Sequence, residues 1–211
     1  MNQTSALFNA ILTGRLEDAV NATQQSMSAE ADVHALIADE MIPAMQEVGR
    51  RFEQGQAFVP ELLMAARAMK GALDIIKPHL SHGESYAVGR VVIGTVFGDL
   101  HDIGKNLVAS MLEGCGFEVV NLGVNVPAER FVSAAQEHHA DIVCLSALLT
   151  TTMINMQQVI DSLQRAGLRD KVKVMVGGAP VTSDFARQIG ADAYSENANE
   201  AVTVAKRLLE V

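Results

Sequence analysis

The chain has 211 residues, 49% hydrophobic and 19% charged, with a net charge of −9 at pH 7, a balance that excludes a mostly disordered polymer. No stretch gathers Lys and Arg on one face, so the basic footprint that neutralises phosphates is missing and no nucleic-acid partner is expected. No apolar run approaches the ~20 residues that span a bilayer, MNQTSALFNAILTG lacks signal-peptide features, and Cys115 and Cys144 make no disulfide framework; a cytoplasmic setting, no membrane partner and two buried thiols are expected.

The first element is a helix over Ser5 to Met27, interrupted or bent near Gly14. Val33, Leu36, Ile37, Met41, Ala44, Met45, Val48 and Phe52 then recur at spacings of three and four, the period of an amphipathic helix. Pro43 inside that run predicts a kink or a fresh helix start. EQGQ at 53 to 56 reads as a turn, and Pro60 stands where a first-turn proline is tolerated. The following helix, ending at Lys77-Pro78, is expected to turn Leu63, Ala66, Met69, Leu73 and Ile76 to one side. Residues 1–80 thus read as a bundle of about four helices, its core supplied in part by the 10 Met residues.

SHGESYAVG at 81–89 reads as a linker, and beyond it the period changes. VVIGTVF, FEVVNLG, DIVCLSA and VKVMVGG are short, β-rich and nearly all apolar, the pattern of parallel strands covered on both faces. Helices are expected at Ile103 to Cys115, Ala128 to His138, Thr152 to Ala166 and Thr182 to Ile189. A short strand at Ala191 to Tyr194 precedes a closing helix from Asn197 to Leu209. Residues 90–211 therefore predict an α/β domain, a doubly wound five-stranded parallel sheet of Rossmann-like type.

In such a sheet, ligands bind beyond the carboxyl ends of the strands at the switch point of strand order. With the order 2-1-3-4-5, the first strand ends at Gly98-Asp99-Leu100-His101-Asp102, the third at Ser146-Ala147-Leu148 with Thr150 just after, and the fourth at Gly177-Gly178. A carboxylate bonded to one imidazole nitrogen leaves the other free for a metal, and Asp99 and His101 have the spacing for this. An isolated Asp-x-His is more commonly a loop histidine beside a capping acid. Asp102 reads as a helix N-cap or first-turn acid. Gly104 and Gly177-Gly178 offer openings where something bulky could approach the backbone, although a tight turn would also account for the glycine pair. GDLHDIGKN has too few glycines for a phosphate cradle, and a zinc site would want three or four ligands.

Asp99-Leu100-His101-Asp102-Ile103-Gly104, Ser146-Ala147-Leu148 and Gly177-Gly178 together resemble the D-x-H-x-x-G … S-x-L … G-G signature of cobalamin-binding Rossmann-like domains. FVPELLMAARAMK at 58–70 is similar to the helical cap preceding that domain in methionine synthase. The same pair of domains makes up the methyltransferase corrinoid proteins of methylamine, methanol, betaine and methoxyarene metabolism. The resemblance implies cobalamin or a related corrinoid, with His101 as lower axial ligand to cobalt and Asp99 and Ser146 as a proton-sharing relay behind it. It places Asp102 in the cofactor site, Gly104, Leu148, Thr150, Gly177 and Gly178 along the nucleotide tail, and Phe58 and Leu62 over the upper face of cobalt.

The implied function is methyl carriage, not a complete reaction. Cobalt(I) would accept a methyl group from a substrate-specific methyltransferase, and methyl-cobalt(III) would give it to a second one acting on tetrahydrofolate or a coenzyme thiol. A reductive activation protein would be a third partner. Protonating the relay should weaken the imidazole and favour four-coordinate cobalt(I). The alternatives are a subunit of an adenosylcobalamin-dependent mutase, which needs no helical cap, and a cobalamin-sensing repressor, which would carry a DNA-binding domain.

Overall fold

A computed structural model describes residues 5–79 and 87–210. They fall into two compact units, one of N-terminal helices and one carrying a sheet. The linker expected at 81–89 lies, up to residue 86, outside the described residues.

The helical unit opens with α1 (Ala6–Leu12), whose first turn is closed by the Ser5 hydroxyl accepting from the Phe8 N–H at 3.0 Å. The bend expected near Gly14 is a chain reversal into α2 (Leu16–Ser28). Gly14 adopts φ +68°, and a Cβ there would meet the Met64 Cβ at 2.5 Å, so both the turn and the packing demand glycine. Next, α3 (Val33–Ala35) runs through a π-helical stretch at Leu36–Met41 into α4 (Ile42–Glu53). Pro43 explains that widening, since it has no N–H to donate and its ring crowds the carbonyl four residues back.

Helix α5 (Val59–Ile76) begins where the Glu61 carboxylate accepts from the Phe58 N–H at 3.0 Å. Its buried side carries Leu62, Ala65, Met69, Ala72, Leu73 and Ile76, while Leu63, expected inside, is 41% exposed. The start of α5 is apolar nearly all round, so spacing alone does not fix which leucine turns inward.

In the second unit, β1 (Arg90–Thr95), β2 (Glu118–Asn121), β3 (Ile142–Ser146), β4 (Lys173–Gly177) and β5 (Ala193–Tyr194) form one parallel sheet in the order β2-β1-β3-β4-β5. The expected strand order and count are both observed. Between them run α6 (Ile103–Gly114), α7 (Ala128–Glu137), α8 (Ile154–Arg165) and α9 (Ser183–Gln188), with α10 (Ala198–Leu208) closing the chain. Val92, Val143, Leu145, Val174 and Val176 share a core with Phe131 of α7 and Met156, Val159 and Leu163 of α8. Val91, Ile93, Cys144 and Met175 are buried as well, so the central strands are covered on both faces, as parallel sheets require. Burial pushes the Cys144 thiol up to about 12, which leaves it inert as a nucleophile.

Register aligns the strand ends. Thr95 pairs with Ser146, and Ser146 with Gly177. The ends of β1, β3 and β4 are therefore level, and the loops after them leave from one edge.

Candidate functional site

Asp99, in the loop after β1, is fully buried. Its Oδ1 accepts from the His101 ring Nδ1 at 2.7 Å and from the His101 backbone N–H at 3.1 Å. Its Oδ2 accepts from the N–H groups of Leu148 and Leu149, at 2.8 and 3.2 Å, and from the Thr152 hydroxyl at 2.8 Å. Burial alone would push this carboxyl up. The donors, the His101 ring first among them, outweigh that and hold it well below the usual carboxylate range. Each hydrogen bond to a charged group is worth about 1.5–3 kcal/mol, so this set offsets a desolvation cost of several kcal/mol.

His101 is the opposite case, with its side chain 51% exposed. An ionised acceptor at Nδ1 fixes the proton there, which leaves the Nε2 lone pair bare. Nε2 makes no hydrogen bond among the described residues. The imidazole is held from behind and open in front, the arrangement of a metal ligand. No three His, Cys, Asp or Glu side chains cluster as a metal site among the described residues, so a metal held by His101 would need its other ligands from elsewhere. A macrocycle that brings its own nitrogens meets that requirement.

The edge around His101 suits such a group. Phe97, Leu100, Ile103, Leu148, Leu149 and Ile154 are all exposed, Leu100 at 70% and Ile103 at 88%. Single exposed leucines are ordinary, but an apolar rim on one sheet edge marks a binding surface. A Cβ on Gly104 would meet nothing within 4 Å, so that face of α6 is open. Gly178 has φ +136°, and a Cβ there would lie 1.9 Å from the Ala147 carbonyl. Only glycine fits, and the β3 and β4 loops pass in close contact.

The other expected residues are spread over the same edge and the helical unit. Leu148 and Thr150 are exposed in the turn after β3, and Gly177 ends β4. Asp102 immediately precedes α6, at the N-cap position, where its carbonyl accepts from the Asn106 N–H at 2.7 Å and its carboxylate from the Asn106 amide at 2.9 Å. In the helical unit Phe58 is 65% exposed, whereas Leu62 is fully buried. Leu62 therefore belongs to the core side of α5, and the exposed apolar residues beside Phe58 are Val59, Leu63 and Met64.

The structure does not bring Ser146 to Asp99, as the expected relay requires. Ser146 ends β3, its hydroxyl makes no hydrogen bond among the described residues, and the hydroxyl on Asp99 is that of Thr152. After β3 the chain folds back over Asp99 in a turn, and that turn delivers two N–H groups and Thr152. The Thr152 hydroxyl also lies 2.9 Å from the Leu149 carbonyl, so its one proton has two acceptors.

Several supporting residues carried no signal in the sequence. Thr95, fully buried, donates its hydroxyl to the His101 carbonyl at 2.9 Å. Lys105, also buried, donates to the side-chain carbonyls of Asn106 and Asn121 at 2.6 and 2.8 Å. Burial pushes its ammonium down, with Asp102 pulling the other way.

With this geometry in place, the comparisons are specific. The B12 binding domain family matches residues 89–203, and a second B12 binding domain family matches residues 4–77. Trimethylamine corrinoid protein 1 of Methanosarcina acetivorans is 47% identical over 195 residues, 92% of this chain and 90% of that protein. Dimethylamine corrinoid protein 1 of the same organism is 46% identical over 204 residues, 96% and 95% of the two chains. Among solved structures, the methanol:cobalamin methyltransferase complex MtaBC from Methanosarcina barkeri superposes with a TM-score of 0.86 at 34% identity, covering 97% of this chain and 78% of that one. A cobalamin-binding protein from Desulfitobacterium hafniense DCB-2 gives 0.78 at 35% identity, covering 99% of each.

Proposed function

This chain belongs to the family of B12-binding corrinoid proteins, and from that premise we propose that it carries a methyl group from a substrate-specific methyltransferase to a second methyltransferase serving tetrahydrofolate or a coenzyme thiol. A bound cobalamin or related corrinoid supplies the cobalt that takes and releases the methyl group. A reductive activation protein is the third partner in this reading. The names of the relatives support a methylated amine as the first donor class to test.

The observation that carries the proposal is His101, its side chain half exposed and its Nδ1 hydrogen-bonded to a buried, ionised Asp99. His101 would hold cobalt through Nε2. Asp99 draws on the Nδ1 proton and strengthens the imidazole as a donor. The Thr152 hydroxyl can turn its proton to Asp99 or to the Leu149 carbonyl, so it can serve the carboxylate as an ion or as an acid. The apolar rim and the opening at Gly104 would receive the macrocycle and its tail, whereas the expected opening at Gly177-Gly178 is filled by the Ala147 and Ser195 carbonyls. Of the two cap residues, Phe58 is the one free to touch a cofactor. The matches over both units decide against the mutase subunit, since the relatives are corrinoid proteins of methyl-transfer systems.

Reconstitution with hydroxocobalamin is expected to give a base-off, His-on spectrum that His101→Ala loses; an unchanged variant spectrum overturns the ligand assignment. The reduced holoprotein should be methylated from a methylamine only after a methylamine methyltransferase is added. Turnover with adenosylcobalamin instead would restore the mutase reading.

A further inference from the structure

The loop from Phe97 to His101 has neither helical nor strand hydrogen bonding, yet it must present one imidazole in one direction. Two side-chain amides from different elements hold its backbone. Asn155, in the first turn of α8, donates from Nδ2 to the Phe97 carbonyl at 2.7 Å. Asn125, in the loop between β2 and α7, accepts at Oδ1 from the Gly98 N–H at 2.8 Å. Its own N–H donates to the Asp99 carbonyl at 2.9 Å. Asn125 sits at φ +53°, a left-handed conformation that Asn, Asp and Gly adopt far more readily than other residues. Neither amide hydrogen-bonds the His101 ring or the Asp99 carboxylate.

We propose that Asn125 and Asn155 are positioning residues for the His101 axial ligand, pinning the Gly98 and Phe97 backbone so that the Asp99 carboxylate meets Nδ1 and Nε2 keeps a fixed direction. The inference rests on His101 being the cobalt ligand. The Asp99 carboxylate is anchored on the far side by Leu148, Leu149 and Thr152. A shift of the Phe97–Asp99 backbone against that anchor must therefore be taken up at the 2.7 Å contact with His101. Ligand geometry is sensitive to displacements of about 0.5 Å, which is why residues outside the first contact matter.

The two amides work in opposite senses, and this gives the test. Asn125 is used as an acceptor and Asn155 as a donor. Asn125→Asp keeps an acceptor for Gly98 and tolerates the left-handed backbone, whereas Asn155→Asp turns a carboxylate toward a carbonyl. Asn125→Gly keeps the backbone and loses only the side-chain bond. Each holoprotein would be reconstituted with hydroxocobalamin and reduced to the cob(II)alamin form. The ratio of His-on to His-off cobalt would be read by EPR from the imidazole nitrogen splitting, across an acid titration, beside the apo melting temperature. Asn125→Gly and Asn155→Asp are expected to lower the ratio about five-fold, the worth of one net hydrogen bond, and Asn125→Asp to retain it. A melting temperature that falls while the ratio stays fixed would reduce both residues to a structural role. Equal behaviour of the two aspartate variants would also overturn the proposal, and this pair carries the test even where Asn125→Gly folds poorly. A wild-type protein without nitrogen splitting would instead remove the His101 ligand reading itself.

Discussion

The Asp99 carboxylate is the residue on which the site turns, and its partners decide which substitutions matter. Thr152→Val keeps the shape of the side chain but removes one donor from a buried ion, which should cost about 1–3 kcal/mol of stability and raise the Asp99 pKa. Ser146→Ala, which removes a hydroxyl without a hydrogen bond, should leave apo stability nearly unchanged. Urea denaturation of both variants checks this, and the reverse order of effects would make Ser146, not Thr152, the hydroxyl that supports Asp99. The pH dependence comes from the same group. Its folded pKa is depressed, so its contribution to stability is present above the ordinary Asp value of about 3.9 and is lost as pH falls below it. Acid unfolding should therefore begin at a higher pH in Thr152→Val than in the wild type. Thr152 was illegible in the sequence for a physical reason. The S-x-L pattern marks where a strand ends, but which later hydroxyl folds back onto a loop some fifty residues earlier is fixed only by tertiary structure.

Elements were legible where their pattern had one solution. Four short β-rich apolar runs and a last short strand, separated by helical stretches, admit little besides a parallel sheet, and the order β2-β1-β3-β4-β5 is the common doubly wound one. The π-helical stretch at Leu36–Met41 was signalled only as a disturbance near Pro43. The start of α5 was misphased, because Leu62, Leu63 and Met64 satisfy several helical stripes equally well and packing alone selects Leu62 for burial. Phe58, in extended backbone just ahead of α5, is exposed, and the Glu61 carboxylate accepts from its N–H. Glu61→Ala should cost about 0.5–2 kcal/mol, the usual range for losing a helix N-terminal cap. The loss should appear in denaturant unfolding, and Glu61→Gln should recover most of it, since a side-chain amide oxygen can still accept from Phe58. If both variants unfold alike, the cap is not what holds that turn.

At the scale of the whole molecule the question is what binds the cofactor, as distinct from what tunes it. In the proposed site His101 would supply one donor atom. The rim of Phe97, Leu100, Ile103, Leu148, Leu149 and Ile154 supplies apolar surface that is exposed in the free protein, and burying such surface returns about 25 cal/mol per Å². If His101 is the ligand as proposed, the rim should provide most of the affinity, and the bond from His101 most of the electronic control. This separates two measurements that a single-site view would expect to move together. Cobalamin at about 100 times its Kd should stabilise the protein by about 2.7 kcal/mol, a rise of about 5–10 °C in Tm for a chain of this size. His101→Ala should keep most of that rise while losing its His-on spectrum. Ile103→Asp, which places a charge on the most exposed member of the rim, should lose much of the rise, and whatever cofactor it still binds should show the imidazole bound to cobalt. A His101→Ala protein that gained no thermal stability from cobalamin would mean that the axial bond, not the rim, holds the cofactor.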